Sequence, residues 1–478
     1  MKKFYLTTAI PYVNSRPHIG HALEFVQTDA IARYHRLLGE QVCLLSGGDE
    51  NALKNVQAAE AVSQDIQSFV DNNARLFEEL AKKINVLFDV FQKGSDKKTH
   101  YPSSQLLWKK CFENEDIYQK TYQGLYCVGC ELFYEERELN ENKECFEHPG
   151  KKLETVKEEN YFFKLSKYQN QLIELISTDK LLIVPISRKN EMLSFLKNPL
   201  QDISISRSNK RAKNWGVPVP GDSSQRIYVW FDALNIYQSG VGFGWDEKTY
   251  QKWWPADLHV IGKGITRFHA IYWPAFLISA GLKVPKSLFV HGYLTIDGQK
   301  MSKTVGNVID PLVFINKYGV DPLRYYLLRE IPSYGDGDFS ERRFVEIYNA
   351  DLANGLGNLI SRVAKLCENS GLEFKINDFS KEVYQEEWIN RLKEYRFDTA
   401  LSLIWLDISI VDQHVNQNEP WYIKDINKLK EILQVEVDDI RKIAFRLLPF
   451  LPETAEKILK QFSTSEIKSS EPYFLRIK

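Results

Sequence analysis

The chain has 478 residues, of which 44% are hydrophobic, 26% charged and 13% aromatic, with 62 Lys+Arg against 63 Asp+Glu. At ~150 residues per domain this is material for about three domains, and a near-average globular composition excludes a wholly disordered, collagen-like or fibrous chain. A net charge of -1 does not exclude nucleic acid, because local clustering of positive charge decides such binding. Six cysteines are too few for a disulfide scaffold. Cys43, Cys111 and Cys367 are scattered, whereas Cys127, Cys130 and Cys145 cluster, which points to a reducing compartment and one metal site. The opening residues carry two lysines and a short apolar run broken by Pro11 and Arg16, with no small-residue cleavage site after it, so no signal peptide is expected. The longest charge-free stretch, near Phe268 to Gly281, falls short of the ~18 apolar residues a membrane span needs. The expectation is a soluble, cytoplasmic protein.

In chain order, Phe4 to Ala9 predicts a buried strand stopped by Pro11. A turn with Asn14, Ser15 and Pro17 follows. Leu23, Val26, Ala30, Tyr34 and Leu37 then recur at helical spacing, ended by Gly39. Val42 to Leu45 reads as a second strand, making a βαβ unit and hence a parallel sheet with a right-handed crossover. Residues 51–113 read as helical. From about 114 to 165 short segments, turn residues and charges crowd around the cysteine cluster, as in an insertion. The βα patterning returns at Ile227 to Phe231, then at His259 to Ile261 before a helix through Phe268 and Ala280, and at Leu288 to His291. Two βα blocks around an inserted segment predict an α/β fold with a split Rossmann-like domain. From about 345 to 460 the pattern is amphipathic, with Leu352, Leu356, Leu359, Ile360 and Val363, then Leu401, Ile404 and Ile408, which predicts a helical bundle. The Ser- and Lys-rich tail after about 463 is expected at the surface.

Three motifs carry chemistry. His18-Ile19-Gly20-His21 stands between a strand and a helix. A helix N-terminus exposes unpaired N–H groups and partial positive charge, which suits phosphate, and Gly20 lets a flat base or ribose approach the backbone. The plainer alternative is a pair of partly buried helix-cap histidines. Lys300-Met301-Ser302-Lys303-Thr304 follows Asp297-Gly298-Gln299. Two lysines three apart beside a glycine make a cationic loop that can neutralise a pyrophosphate leaving group as its charge develops. Alone, such a pair is usually a solvated surface turn. Third, Cys127-x2-Cys130-x14-Cys145-x2-His148 has the spacing to hold Zn²⁺ tetrahedrally. Four protein ligands would close the site, so the metal would be structural.

Together, in this order and with the split Rossmann context between them, HIGH and KMSKT resemble the signature of class I aminoacyl-tRNA synthetases. The resemblance narrows to the methionyl-tRNA synthetase family, short bacterial type with a single zinc knuckle, and covers nearly the whole chain. It rests on Thr7-Thr8-Ala9-Ile10-Pro11-Tyr12, Leu125-Tyr126-Cys127, Ser204-Ile205-Ser206-Arg207, Trp215-Gly216-Val217-Pro218-Val219-Pro220, Tyr228-Val229-Trp230-Phe231-Asp232-Ala233, Gly357-Asn358-Leu359-Ile360-Ser361-Arg362 and Pro420-Trp421.

The resemblance implies ATP-dependent ligation of L-methionine to tRNA(Met), initiator tRNA included, through an enzyme-bound methionyl-adenylate. It implies a methionine pocket from Ala9, Ile10, Tyr12, Asp49, Trp230, Tyr237, Ile265 and His269. Aromatic walls suit a polarizable thioether, Asp49 can pair with the substrate ammonium, and Tyr237 and His269 can contact the sulfur. Without the family, Trp230 and Ile265 read as ordinary core. His18, His21, Lys300 and Lys303 carry over as catalytic groups, and with Gly20, Lys263, Met301 and Ser302 as the ATP and pyrophosphate site, Mg²⁺ accompanying ATP. Arg207 is a further candidate for phosphate or carboxylate. Asn358, Arg362 and Trp421 match the family's anticodon readers, types that suit splayed bases; otherwise they are a polar helix face and a pin for the bundle. Cys127, Cys130, Cys145 and His148 match the zinc ligands.

The implied domains are a first catalytic half at 1–113, a connective insertion with the zinc knuckle at 114–225, a second catalytic half at 226–285, a stem-contact region with the KMSKT loop at 286–345 and an anticodon-binding bundle at 346–478. The insertion is smaller than the editing insertions of the leucine, isoleucine and valine enzymes. A chain ending near 478 without a basic, β-rich appendix is expected to be a monomer. Three positions depart from the family. Asp49-Glu50-Asn51-Ala52 stands where Asp-Glu-His-Gly or Asp-Ala-His-Gly is frequent, Gly264 where an acid near the ATP ribose is frequent, and Thr304 where Ser is usual. A cysteinyl-tRNA synthetase would share both signatures but grip its substrate through zinc, and no thiolate accompanies Tyr12 and Trp230 here. A non-catalytic tRNA-binding paralogue would not need both signatures intact, and a small-molecule nucleotidyltransferase would lack Asn358, Arg362 and Trp421.

Overall fold

The computed structural model describes residues 2–127, 129, 132–134, 136–145, 150, 152–301, 306–377, 379 and 385–477, with backbone only at 132, 133, 137 and 300. The chain divides into two compact units, one of residues 1–17, 39–81 and 87–291, the other of residues 18–38, 82–86 and 292–478.

The first unit is built on apolar runs that become strands. β1 (Lys3–Thr7), β2 (Gln41–Gly48) and β3 (Val90–Lys93) form a parallel sheet with three later strands. The insertion supplies β4 (Ile117–Cys127), β5 (Leu132–Tyr134) and β6 (Glu154–Phe163), followed by β7 (Leu182–Val184) and β8 (Ile203–Ser204). Then come β9 (Ser206–Ser208), β10 (Pro218–Val219), β11 (Asp222–Ile227), β12 (Leu258–Gly262) and β13 (Ser287–His291). The parallel sheet runs β3-β2-β1-β12-β13-β7. Its central strands are buried on both faces, with Tyr5, Leu6, Leu44, Leu45, Val260 and Ile261 all at 0% exposure, which is why they read as continuous apolar runs. Complete burial of such side chains contributes about 1.5–3 kcal/mol each. The order reverses between β2-β1 and β1-β12, and ligands in this architecture usually bind beyond the carboxyl ends of strands at such a switch point.

The insertion forms a separate antiparallel sheet, β5-β4-β6-β8, whose long β4–β6 ladder pairs Ile117 with Phe163 and Tyr126 with Glu154. A third sheet runs β10-β11-β9.

Two expectations are corrected. Residues 51–113 are not all helical: four residues, Val90–Lys93, form edge strand β3, too short to show a period among the helical segments around it. The run Ile227 to Phe231 is not a strand throughout. β11 ends at Ile227, and Val229–Leu234 is a helix whose every residue is buried. A segment apolar on all sides carries no face, so periodicity cannot separate strand from helix.

The second unit contains the helix Ile19–Leu37, the small sheet β15 (Gln299–Lys300), β14 (Leu294–Ile296) and β16 (Gly337–Phe339), and the helices Asn358–Ser370, Phe397–Asn418, Ile426–Leu447 and Pro452–Gln461. The amphipathic residues noted above face its core: Leu356, Ile360, Val363, Leu401 and Ile404 are all at 0% exposure. Arg324, fully buried, ties this unit together. Its Nη2 meets Asp29 Oδ2 at 2.7 Å, its Nε donates to Phe450 O at 2.9 Å and its Nη1 to Ile84 O at 3.1 Å. Every polar atom of that guanidinium group has a partner, which is the condition for tolerating a buried charge.

Candidate active site

In the first unit the residues after β1, β2 and β12 converge. β1 leads to Ala9, Ile10 and Tyr12, β2 to Asp49, and β12 to Lys263 and Ile265. Asp49 is 3% exposed; its N–H donates to Pro11 O at 2.9 Å, and Tyr12 and Asp49 form an isolated parallel bridge. Trp230 meets Tyr12 edge-on at 6.2 Å between ring centroids and stacks on Phe268 at 3.6 Å and 5°. Tyr237 and His269 are both 1% exposed. His269 Nδ1 lies 2.9 Å from Ile265 O, an acceptor only, so Nδ1 carries the proton. Its Nε2 must then accept the Tyr237 hydroxyl proton, at 2.8 Å. Burial pushes His269 down to about 4, so the ring stays neutral. Behind it, His259 contacts Thr7 Oγ1 at 2.8 Å, stacks on Tyr237 and is likewise held neutral by burial, with His269 as the lesser cause. The pocket is therefore lined mainly by neutral aromatic groups, with Asp49 as its acidic residue and Lys54 over the outer ring of Tyr12. Its Tyr–His pair already satisfies its own donors, so it offers ring surface rather than N–H or O–H groups to a thioether.

In the second unit His18 is the N-cap of the helix Ile19–Leu37. Gly20 N–H donates to His18 Nδ1, and His18 N–H donates to His21 Nδ1, each at 3.1 Å, a reciprocal capping box. The rings lie 3.9 Å apart. The plain cap alternative and the phosphate alternative are compatible. With both Nδ1 atoms accepting, each neutral ring carries its proton on Nε2. Burial, then the neighbouring His18, holds His21 well below the ordinary histidine range. A Cβ at Gly20 would lie 3.0 Å from His18 Cε1 and 3.6 Å from Met301 Cε. Ile19 N–H donates to Ile309 O at 3.0 Å. The two signatures thus lie side by side. Lys300 pairs with Thr295 as backbone in β15; Ser302, Lys303 and Thr304 lie outside the described residues.

The family model for class I tRNA synthetases (M) matches residues 4–364. A methionine–tRNA ligase of Thermotoga maritima is 41% identical over 98% of this chain and 76% of its own. That of Brucella melitensis is 40% identical over 96% of this chain and 91% of its own. The solved structure of Mycobacterium tuberculosis methionyl-tRNA synthetase with methionyl-adenylate superposes with a TM-score of 0.93 at 35% identity, covering 100% of both chains. This chain belongs to the class I methionyl-tRNA synthetase family. The free form of the Mycobacterium enzyme matches less closely, with a TM-score of 0.85 at 32% identity.

Other residues singled out in this synthetase fall as follows. Lys263 opens a short turn ending at Ile265, its carbonyl accepting from Thr266 Oγ1 at 2.8 Å. Arg207 is buried; its Nη1 donates to Ser206 O at 2.7 Å and Ser204 Oγ at 2.9 Å, and the group lies 4.4 Å from the Tyr228 ring. It braces the segment leading to Trp230. Asn358 is exposed at the start of its helix and Arg362 lies one turn on. Arg362 Nη2 meets Asp412 Oδ1 at 2.8 Å and its Nη1 meets Asn416 Oδ1 at 2.9 Å, both on the helix Phe397–Asn418. Trp421, 48% exposed, follows directly beyond that helix, so the three are gathered around two adjoining helices. Of the cysteine cluster, Cys127 and Cys145 are buried, Cys145 Sγ lying 3.5 Å from Tyr134 Oη. Cys130 and His148 lie outside the described residues. Among the described residues no group of three or more metal-ligating side chains occurs.

Sequence reasoning missed Phe268, the stacking partner of Trp230, and Lys54, whose Nζ sits 3.1 Å over the Tyr12 ring. Phe268 was signalled by its position beside His269. Lys54 carried no signal.

Proposed function

We propose that this chain activates L-methionine with ATP, forming enzyme-bound methionyl-adenylate and pyrophosphate, and then ligates the methionyl group to tRNA(Met), initiator tRNA included, with release of AMP. The adjacency of the two signatures carries the reading: Gly20 against Met301, and Ile19 bonded to Ile309. Asp49 pairs with the ammonium, while Ala9, Ile10, Tyr12, Trp230, Tyr237, Ile265 and His269 enclose the side chain. The methionine carboxylate attacks the α-phosphorus in line, and no covalent enzyme intermediate is needed, since positioning and charge stabilisation suffice. His18 and His21 present neutral Nε2–H groups to phosphate oxygens, and Gly20 admits the nucleotide. Lys300, Met301, Ser302 and Lys303 meet the leaving pyrophosphate, with Lys263 in support and Mg²⁺ accompanying ATP. The ribose 2′-hydroxyl of the terminal adenosine then attacks the adenylate. Asn358, Arg362 and Trp421 read the anticodon.

The division of labour follows the expected segments, with catalytic halves at 1–113 and 226–285, the connective insertion at 114–225, the KMSKT region at 286–345 and the anticodon bundle at 346–478. Three thiols and an imidazole suit Zn²⁺, and the two described thiols are buried as such ligands require. Cys127, Cys130, Cys145 and His148 would hold it and brace the turns of the insertion. Metal analysis of protein purified without chelator should give about one zinc per chain, lost in Cys130→Ser; wild-type protein free of zinc would remove the assignment. The working form is a cytoplasmic monomer. Charging of tRNA(Met) with labelled methionine tests the reading, and a chain that charges tRNA(Met) with another amino acid, or not at all, would overturn it.

A further inference from the structure

Asn51 stands two residues after Asp49, and its side chain reaches the helix that carries Trp230. Its Nδ2 donates to Gly94 O and to Asp232 Oδ2, both at 2.7 Å. Both partners only accept, so the amide cannot be turned the other way. Asp232 is 1% exposed, and its other oxygen accepts from Ser104 Oγ at 2.6 Å and His100 Nε2 at 2.9 Å. His100 Nδ1 meets Ser239 Oγ at 2.7 Å, and Asn235 Nδ2 donates to Ser103 Oγ at 2.9 Å. The helix His100–Glu113 thus pins the stretch bearing Trp230 and Tyr237 from one side. Asn51 pins it from the other. The Asp49 end of this tie is equally fixed: Asn55 Nδ2 donates to Asp49 O at 2.7 Å and Trp215 Nε1 to Glu50 O at 2.8 Å.

We infer that Asn51 is a positioning residue: without touching methionine, it sets the spacing between the carboxylate that receives the substrate ammonium and the aromatic wall that receives the side chain. This deepens the methionine reading and rests on it. A neutral amide is what the place requires. Asp232 is already a buried carboxylate, and Glu50, also buried, is pushed up by its burial, although Ser95 N–H donates to it at 3.0 Å. The other titratable or charged groups here are His100 and Tyr101 at the start of the adjoining helix, Lys93 and Asp96 just before it, and Arg226 at the end of β11. An amide donates at every pH. A carboxyl group donates only while protonated.

Asn51→Asp exploits that difference, because it keeps the shape and puts two carboxyl groups in contact. Such a pair holds one proton between them well into the neutral range. Methionine-dependent pyrophosphate exchange at pH 6 and pH 8.5 reads the result. For Asn51→Asp the methionine KM should lie within threefold of wild type at pH 6 and at least tenfold above it at pH 8.5. The KM for ATP and the kcat should each move less than threefold. Asn51→Leu should raise the methionine KM to the same extent at both pH values. An Asn51→Asp methionine KM equal to wild type at both pH values would overturn the inference, as would one raised equally at both. So would a wild-type KM in Asn51→Leu, which keeps the test valid if the aspartate variant does not fold. Wild-type exchange is the reference: if it is absent with methionine, the substrate reading itself fails and the inference falls with it.

Discussion

The methionine pocket and the paired signatures solve opposite problems. As proposed, the pocket holds an uncharged thioether, and three of its polar contacts are turned inward: Tyr237 on His269, His269 on Ile265, His259 on Thr7. The signature region must meet a polyphosphate whose charge shifts during the reaction. There the helix cap fixes each histidine through Nδ1, and Lys300 ends strand β15. Selection by shape calls for locked, neutral side chains, whereas stabilising a transition state calls for donors and cations aimed at developing charge. In the proposed reading Asp49 is the acid lent to the pocket, matching the ammonium the substrate keeps beside its side chain.

Breaking the second region should have the largest effect. Lys300→Ala should lower the kcat of pyrophosphate exchange by about 100-fold or more, the scale of losing one group that stabilises developing charge, with the methionine KM within about threefold. A variant with normal exchange would remove the loop from the chemistry. The proposed anticodon face should sharpen the contrast, since on that reading it serves neither substrate of the first step. Trp421→Ala should lower aminoacylation kcat/KM by about 10- to 100-fold, as loss of one base stack implies, and leave exchange unchanged. Equal loss in both assays would make Trp421 a pin for the bundle.

The smallest effect concerns acid stability of the pocket. His269 in the unfolded chain titrates near its ordinary value of 6.5 and in the folded chain at about 4. Between those values only the unfolded state takes up the proton. Stability is therefore fully present above about pH 6.5 and falls as pH drops toward 4, by roughly 3 kcal/mol for this group. Equilibrium denaturation at pH 7 and pH 4.5 in wild type and His269→Gln checks this: the variant should lose that much less on acidification. An unchanged difference would mean that the ring is not held neutral.

Much of the architecture was legible where a short signal had one meaning. Pro11 after an apolar run marks the end of β1, and the Leu352-to-Val363 spacing marks a helix face. β3 was hidden by its four-residue length, and Val229–Leu234 by burial on every side. The site divides in the same way. HIGH is a compact string whose place between β1 and the helix Ile19–Leu37 can be read locally, whereas the expected pocket residues, spread from Ala9 to His269, follow only from the family resemblance. The ties among Asn51, Asp232 and His100 join positions 132 and 181 residues apart; no local pattern encodes such contacts. The Tyr237–His269 bond, which turns two expected sulfur donors toward each other, is a matter of tautomer and became readable only from the carbonyl of Ile265.

The most direct test of the account is pyrophosphate exchange measured with each of the twenty amino acids in turn. The proposed aromatic pocket, with neutral Tyr237 and His269 and the acid Asp49, predicts that methionine alone supports strong exchange. Equal or greater exchange with cysteine, leucine or isoleucine would contradict it.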